Sequence, residues 1–109
     1  METMSLKFEP ELAELVLNGE KTCTWRLLNE KIFQIGQTIE LIKRPEMVVF
    51  ASAIITSLAN KTMGELNEDD KLGHEKFKSD EELFNTYSRY YKEQIDESTQ
   101  VTVIHFELL

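Results

Sequence analysis

Gly19-Glu20-Lys21-Thr22-Cys23-Thr24-Trp25-Arg26 is where the chain leaves a helix and becomes extended, and the fold reads outward from it. Upstream, Pro10 stands where a first helical residue belongs, and Glu9 and Glu11 favour the positive end of a helix dipole. Leu12, Leu15 and Val16 then recur at helical spacing, and Asn18-Gly19 supplies left-handed-tolerant residues that stop a helix. A helix is therefore expected over residues 10 to 18, preceded by a short strand from Ser5 to Phe8. Downstream, Lys21 to Leu28 is rich in Thr, Cys and Trp and reads as a strand.

Further along, Ile35-Gly36-Gln37 is a turn into a strand from Thr38 to Lys43, and Lys43-Arg44-Pro45-Glu46 is a second turn. Met47 to Leu58 is almost continuously apolar, which predicts a central strand, buried on both faces for part of its length or bent by a bulge. Thr62-x-x-Glu65 and Ser79-x-x-Glu82 both fit the box that opens helices. The second predicts a helix ending near Gln94, with Leu83, Phe84, Tyr87, Tyr90 and Tyr91 on one stripe and the tyrosines in the core. Asn67 to Lys78 reads as a loop with short helical turns. Gln100 to Leu109 reads as a closing strand with Thr102, Ile104, Phe106 and Leu108 on one face. Strand, helix, three strands, helices, strand is the order of an α+β fold with a curled, mainly antiparallel sheet.

The 109 residues, 41% of them hydrophobic, suffice for one modest core, so a single domain over residues 1–109 is expected. The longest apolar run falls short of the roughly 20 residues of a membrane span. No membrane role is expected; a start without a secretory pattern and a lone Cys23 predict a cytoplasmic protein. The net charge of −8 argues against a grip on long nucleic acid through its phosphates. Residues 1 to 61 carry seven basic against eight acidic side chains, and residues 62 to 109 five against twelve. A small uncharged ligand suits that surface, whereas RNA would be accepted only by the nearly neutral first half.

Spacing alone makes Gly19 and Lys21 an ordinary helix exit with a solvated lysine, Thr22 and Thr24 strand residues, and Trp25 a core aromatic. However, Gly19-x-Lys21-x-x-x-x-Arg26, with Leu15 before it and a turn at Gly36 after it, resembles the signature of ASCH domains, whose fold is a PUA-like β-barrel with flanking helices. Thr62-x-x-Glu65-Leu66, Gly73-His74-Glu75-Lys76-Phe77 and Val103-Ile104-His105-Phe106 follow in the family's order, so the resemblance covers nearly the whole chain. In size and in the run Lys21-Thr22-x-Thr24-x-Arg26, the chain is most similar to the short bacterial branch that hydrolyses N4-acetylcytidine and related acylated cytidines.

That resemblance implies Lys21 as base, Thr24 as nucleophile and Glu75 as proton donor, with Glu65, Glu68 and Glu82 as alternatives for the last. Gly73-His74-Glu75 departs from the Glu-Gly-Phe form common in the wider superfamily. Arg26 is a candidate to bind substrate, and Phe8 and Trp25 are candidates to stack on a pyrimidine besides packing the core.

The chemistry sets two conditions. Threonine is a poor nucleophile without a neighbouring base, and lysine serves only when neutral, which burial and the nearby Arg26 charge would favour. In a regular strand Lys21 and Thr24 point to opposite faces, so either a bend separates them or Lys21 sits in the turn before the strand. Cys23 reads as a small buried residue, with a nucleophilic role as the alternative. His74, His105 and Cys23 lack metal-ligand spacing, and neither a metal nor a cofactor is expected. The acidic run from Glu65 to Asp70 reads as solvated surface. The alternative function is an RNA-binding module or ribonuclease, with Lys7, Lys21, Arg26, Lys31, Lys43 and Arg44 on one rim. The preferred acyl group and the oligomeric state are left open.

Overall fold

The computed structural model describes residues 4–27 and 32–109. Leu28, at the end of one expected strand, and Lys31, of the expected basic rim, lie outside the described residues. The elements run β1 (Met4–Phe8), α1 (Pro10–Leu17), β2 (Cys23–Leu27), β3 (Thr38–Lys43), β4 (Val48–Thr62), a 3-10 turn (Met63–Glu65), α2 (Glu68–Lys71), α3 (Asp80–Tyr91) and β5 (Gln100–Leu108). Five strands form one sheet in the order β1-β3-β4-β5-β2; β1 lies parallel to β3, and the other pairings are antiparallel. This is the curled, mainly antiparallel α+β architecture that the order of elements predicts, with β4 at its centre.

Local rules account for most of these elements. In β3, Ile39 and Leu41 are fully buried while Thr38 is exposed, a period-two alternation. In α3 the Ser79 hydroxyl accepts the Glu82 N–H at 3.1 Å, and three acidic residues occupy the first turn. β4 carries two register shifts, one opposite Leu41/Ile42 and one between Ile55 and Ser57. Each inserts an extra residue and sharpens the local twist, which lets a 15-residue strand curl across both neighbours.

Several expectations need correction. α3 ends at Tyr91 rather than near Gln94, because Lys92 takes a left-handed conformation at φ 54°. The Thr62 box opens a single 3-10 turn, with Glu65 Oε1 accepting the Thr62 N–H, and β4 runs to Thr62, beyond the expected end at Leu58. β5 buries both faces: Ile104 and Phe106 join one core cluster, Val101 and Val103 the other, and Leu108 is exposed. The first cluster gathers α1, β1 and β3; the second lies between β2, β5 and α3.

Asp70 is buried rather than part of a solvated acidic surface. Lys61 Nζ donates to its Oδ2 at 2.6 Å, and its main-chain oxygen accepts Trp25 Nε1 at 3.0 Å and Cys23 Sγ at 3.3 Å. The cation supplied by β4 offsets the desolvation that the acidic run alone could not. The ion pair ties α2 to β4, and the two main-chain contacts hold it against β2.

Candidate active site

The path of the chain out of α1 decides where Lys21 lies. Gly19 adopts φ +86°, and the Glu20 and Lys21 N–H groups both donate to the Leu15 carbonyl at 3.0 Å. β2 starts only at Cys23, so Lys21 sits in the turn before the strand and the face parity of a strand does not apply to it. Its side chain is buried, contrary to the solvated lysine of an ordinary helix exit.

A second segment meets it there. The Gly73 carbonyl accepts the N–H groups of Thr22 at 2.8 Å and Cys23 at 3.1 Å, which fastens the loop after α2 to the start of β2. Two residues on, Glu75 Oε1 lies 2.9 Å from Lys21 Nζ, and the same amine donates to the Cys23 carbonyl at 2.8 Å. Glu75, which only the family order singled out, is thus the carboxylate brought to Lys21. Glu65 is tied to Thr62, and Glu82 caps the first turn of α3 through its N–H.

Lys21, Thr24, Arg26 and Glu75 line one cavity of about 320 Å³, at the lower end of the range for small-ligand sites. The cavity lies at the seam of the curled sheet, between its two edge strands β1 and β2, with α3 as the outer wall. Arg26 spans that seam: its Nη2 donates to the Lys7 carbonyl at 2.8 Å, and its guanidinium lies 4.9 Å from the centre of the Phe8 ring. Thr24 is buried, and among the described residues its hydroxyl is not hydrogen-bonded to Lys21. Phe8 and Trp25 also line the cavity, but both are core aromatics first, and His74 stacks on Trp25 at a centroid distance of 3.7 Å. Tyr90 is 56% exposed and lines the cavity with half-buried Tyr91, so only Tyr87 is the buried tyrosine of the expected stripe.

The electrostatics follow from burial. Desolvation lowers the Lys21 pKa, opposed by the charge and hydrogen bond of Glu75. Burial by itself would raise the Glu75 carboxyl, yet the hydrogen bond and charge of His74, with those of Lys21, outweigh it and hold the group at about 2. Glu75 is therefore ionised at rest. Burial lowers His74 as well. Cys23, fully buried, is pushed up to about 12 by desolvation, which makes it a packed thiol rather than a nucleophile.

A depressed carboxylate contributes stability that is complete above its unfolded value and lost as pH falls through its folded one. For Glu75 that window runs from the ordinary 4.5 down to about 2. Urea unfolding at pH 5 and at pH 2.5 is expected to show a drop that Glu75→Gln makes smaller, by roughly 2 kcal/mol at most. Equal drops in the two proteins would contradict the assignment.

Two buried polar atoms in the cavity wall, Arg26 Nε and Glu75 Oε2, have no hydrogen-bond partner among the described residues. One is a donor and the other an acceptor. Of the expected basic rim, Lys7 and Arg44 stand at the cavity, while Lys21 and Arg26 are committed inside it. Among the described residues no three His, Cys, Asp or Glu side chains converge as a metal site. No described helix is long and apolar enough to cross a membrane.

No protein-family model and no curated protein matches the chain. Solved structures do. An ASCH domain from Lactobacillus crispatus superposes with a TM-score of 0.72 at 20% identity, over 97% of this chain and 79% of its own. A protein from Enterococcus faecalis gives 0.79 at 17% identity, over 100% and 82%. The ASCH protein of Zymomonas mobilis gives 0.68 at 16% identity, over 94% and 65%. The chain has the ASCH-domain fold. In that PUA-like frame the cavity occupies the seam between the edge strands, and Lys21, Thr24 and Glu75 all face it. Sequence reasoning weighed His74 only as a metal ligand and missed that its ring contacts Glu75 and Tyr87 at hydrogen-bond distance; its place next to Glu75 was the signal available.

Proposed function

We propose that this one-domain protein is a cytoplasmic amidohydrolase that removes the acyl group from N4-acetylcytidine or a related N4-acylated cytidine. The observation that carries the reading is the 2.9 Å Lys21–Glu75 pair in a cavity that Thr24 also lines. Moving one proton across that hydrogen bond turns an ammonium and a carboxylate into a neutral amine and a carboxylic acid, with no change in net charge. Base and acid are thereby made together.

The proton count then closes. Thr24 Oγ attacks the acyl carbonyl while Lys21 takes its proton; the carbon–nitrogen bond breaks as Glu75 gives its proton to the departing N4 amine. Cytidine is a fairly good leaving amine because its ring delocalises the lone pair. This leaves an ester on Thr24 beside an ammonium and a carboxylate, the resting charge pattern of the pair. Glu75 then takes a proton from water as its oxygen attacks the ester carbonyl, Lys21 gives a proton to the departing threonine oxygen, and return of a proton from Glu75 to Lys21 restores the resting pair. The unpartnered Arg26 Nε and Glu75 Oε2 suit a ligand edge that offers an acceptor beside a donor, as an acylated cytosine does. The overall acidity favours a free nucleoside over RNA.

Purified protein with N4-acetylcytidine is expected to lose the acylated chromophore and release acetate and cytidine. Thr24→Ala is expected to lower kcat by at least about a thousandfold, whereas Thr24→Ser retains measurable turnover. Turnover unaltered by Thr24→Ala would exclude the nucleophile. Salt-sensitive retention of single-stranded RNA, or RNA shortened by wild type but not by a Lys21 variant, would instead favour the RNA reading, for which Lys7 and Arg44 are the available contacts.

A further inference from the structure

His74 does not belong to the base, nucleophile and acid set, yet it is more tightly engaged than any of them. Its side chain is almost wholly buried; one ring face is stacked on Trp25 at 3.7 Å with an interplanar angle of 14°. Nδ1 lies 2.9 Å from the main-chain oxygen of Glu75, Nε2 lies 2.8 Å from Glu75 Oε1, and the Tyr87 hydroxyl is 3.1 Å from the same Nε2. Both ring nitrogens therefore address oxygens of a single neighbouring residue.

We propose that His74 is the positioning residue for Glu75: one ring nitrogen donates to an oxygen of Glu75 in the neutral imidazole, and both do, to the main-chain oxygen and to carboxylate Oε1, once the ring is protonated, so that the other carboxylate oxygen, Oε2, is left for the ligand. A glutamate following a turn ordinarily has three rotatable side-chain bonds. Two contacts to one rigid ring, at the main chain and at the tip, remove most of that freedom before any ligand arrives. The ring cannot swing away with its cargo, since Trp25 covers its face and Tyr87 holds its edge. Lys21 converges on Oε1 from the turn before β2, and Oε2 is the atom without a partner among the described residues. The charged or titratable groups that act on the pair are Lys21 from that turn, Cys23 and Arg26 from β2, and Tyr87 and Tyr90 from α3.

The catalytic consequence rests on the amidohydrolase reading, but the positioning can be measured without it. The carboxyl of Glu75 is followed by carbon-13 NMR through an acid titration of wild type, His74→Gln and His74→Phe, with amide spectra as the check on folding. In wild type it is expected to titrate well below the ordinary carboxylate range, near 2. His74→Phe keeps a ring over Trp25 without a donor, and is expected to raise that value by about one unit or more; His74→Gln, which restores an amide donor, is expected to lie between. Identical titration in all three folded proteins would overturn the proposal. Should His74→Phe not fold, Tyr87→Phe, which loosens the ring edge alone, is expected to give a smaller rise, and no rise there would overturn it.

Turnover separates the two ideas. If wild type hydrolyses N4-acetylcytidine, His74→Phe is expected to lower kcat about tenfold or more with KM little changed, and His74→Gln to recover part of it. A larger change in KM than in kcat would overturn the positioning role. If wild type does not hydrolyse it, the amidohydrolase reading fails, while the titration still decides whether His74 holds Glu75.

Discussion

Gly73→Ala is expected to lower stability by about 3 kcal/mol and to abolish function in whatever remains folded. Gly73 has φ +75°, and a Cβ there would lie 2.0 Å from Thr22 Oγ1. The left-handed backbone costs a side chain about 1 kcal/mol, and a clash in packed surroundings adds roughly 1–3 kcal/mol. The site suffers more than the fold, because the Gly73 carbonyl joins the Glu75 loop to Thr22 and Cys23, so a shift there separates Glu75 from Lys21. Urea unfolding gives the stability, and a double-mutant cycle gives the mechanism. Adding Thr22→Ala removes the hydroxyl but not the backbone strain, so it should recover about half the loss. Additive losses would show that the two residues do not collide.

If the amidohydrolase proposal holds, Lys21→Met should lower kcat about a thousandfold, in keeping with the loss of a general base, and in any case lower stability by about 2 kcal/mol. The amine is buried while the Glu75 side chain keeps a quarter of its surface in water, which is why the stability loss stays below that of a fully enclosed pair. Removing a cation that holds Glu75 down should also raise the carboxyl above its value of about 2. Lys21→Arg divides the two roles. A guanidinium supplies charge and donors but does not give up its proton, so Glu75 should stay depressed while turnover is lost. If Lys21→Arg turned over substrate as wild type does, Lys21 would be an electrostatic partner and not a base.

The features legible in the sequence were the local ones. Thr38 to Lys43 alternates cleanly and became β3 at those limits; Ser79 and its acids opened α3; Gly19 released Lys21 from the strand. The apolar stretch of β4 announced a central, bulged strand, though not where it ends, because Ala59 to Thr62 extend through pairing with β5 rather than through their own hydrophobicity. What composition could not reveal depends on chain segments meeting at a distance. Lys21 and Glu75 are 54 residues apart, and the residues that join them, Thr22 and Gly73, are unremarkable as types. Asp70 looked solvated because its partner Lys61 lies in another element. Tyr90 and Tyr91 shared the helical stripe of Tyr87, but they stand where α3 borders the cavity, so that Tyr91 is only half-buried and Tyr90 is exposed.

The open seam carries a second cost. Unsatisfied strand edges invite other chains to pair with them, and this sheet has two, β1 and β2. Arg26 occupies the Lys7 carbonyl on one edge, and the Tyr91 hydroxyl accepts the Leu27 N–H on the other. The side chains that shape the cavity are thus also the ones that blunt self-association. Stripping Arg26 or Tyr91 to broaden the choice of substrate would expose templating edges, and the variants so made would be limited by aggregation before they were limited by chemistry.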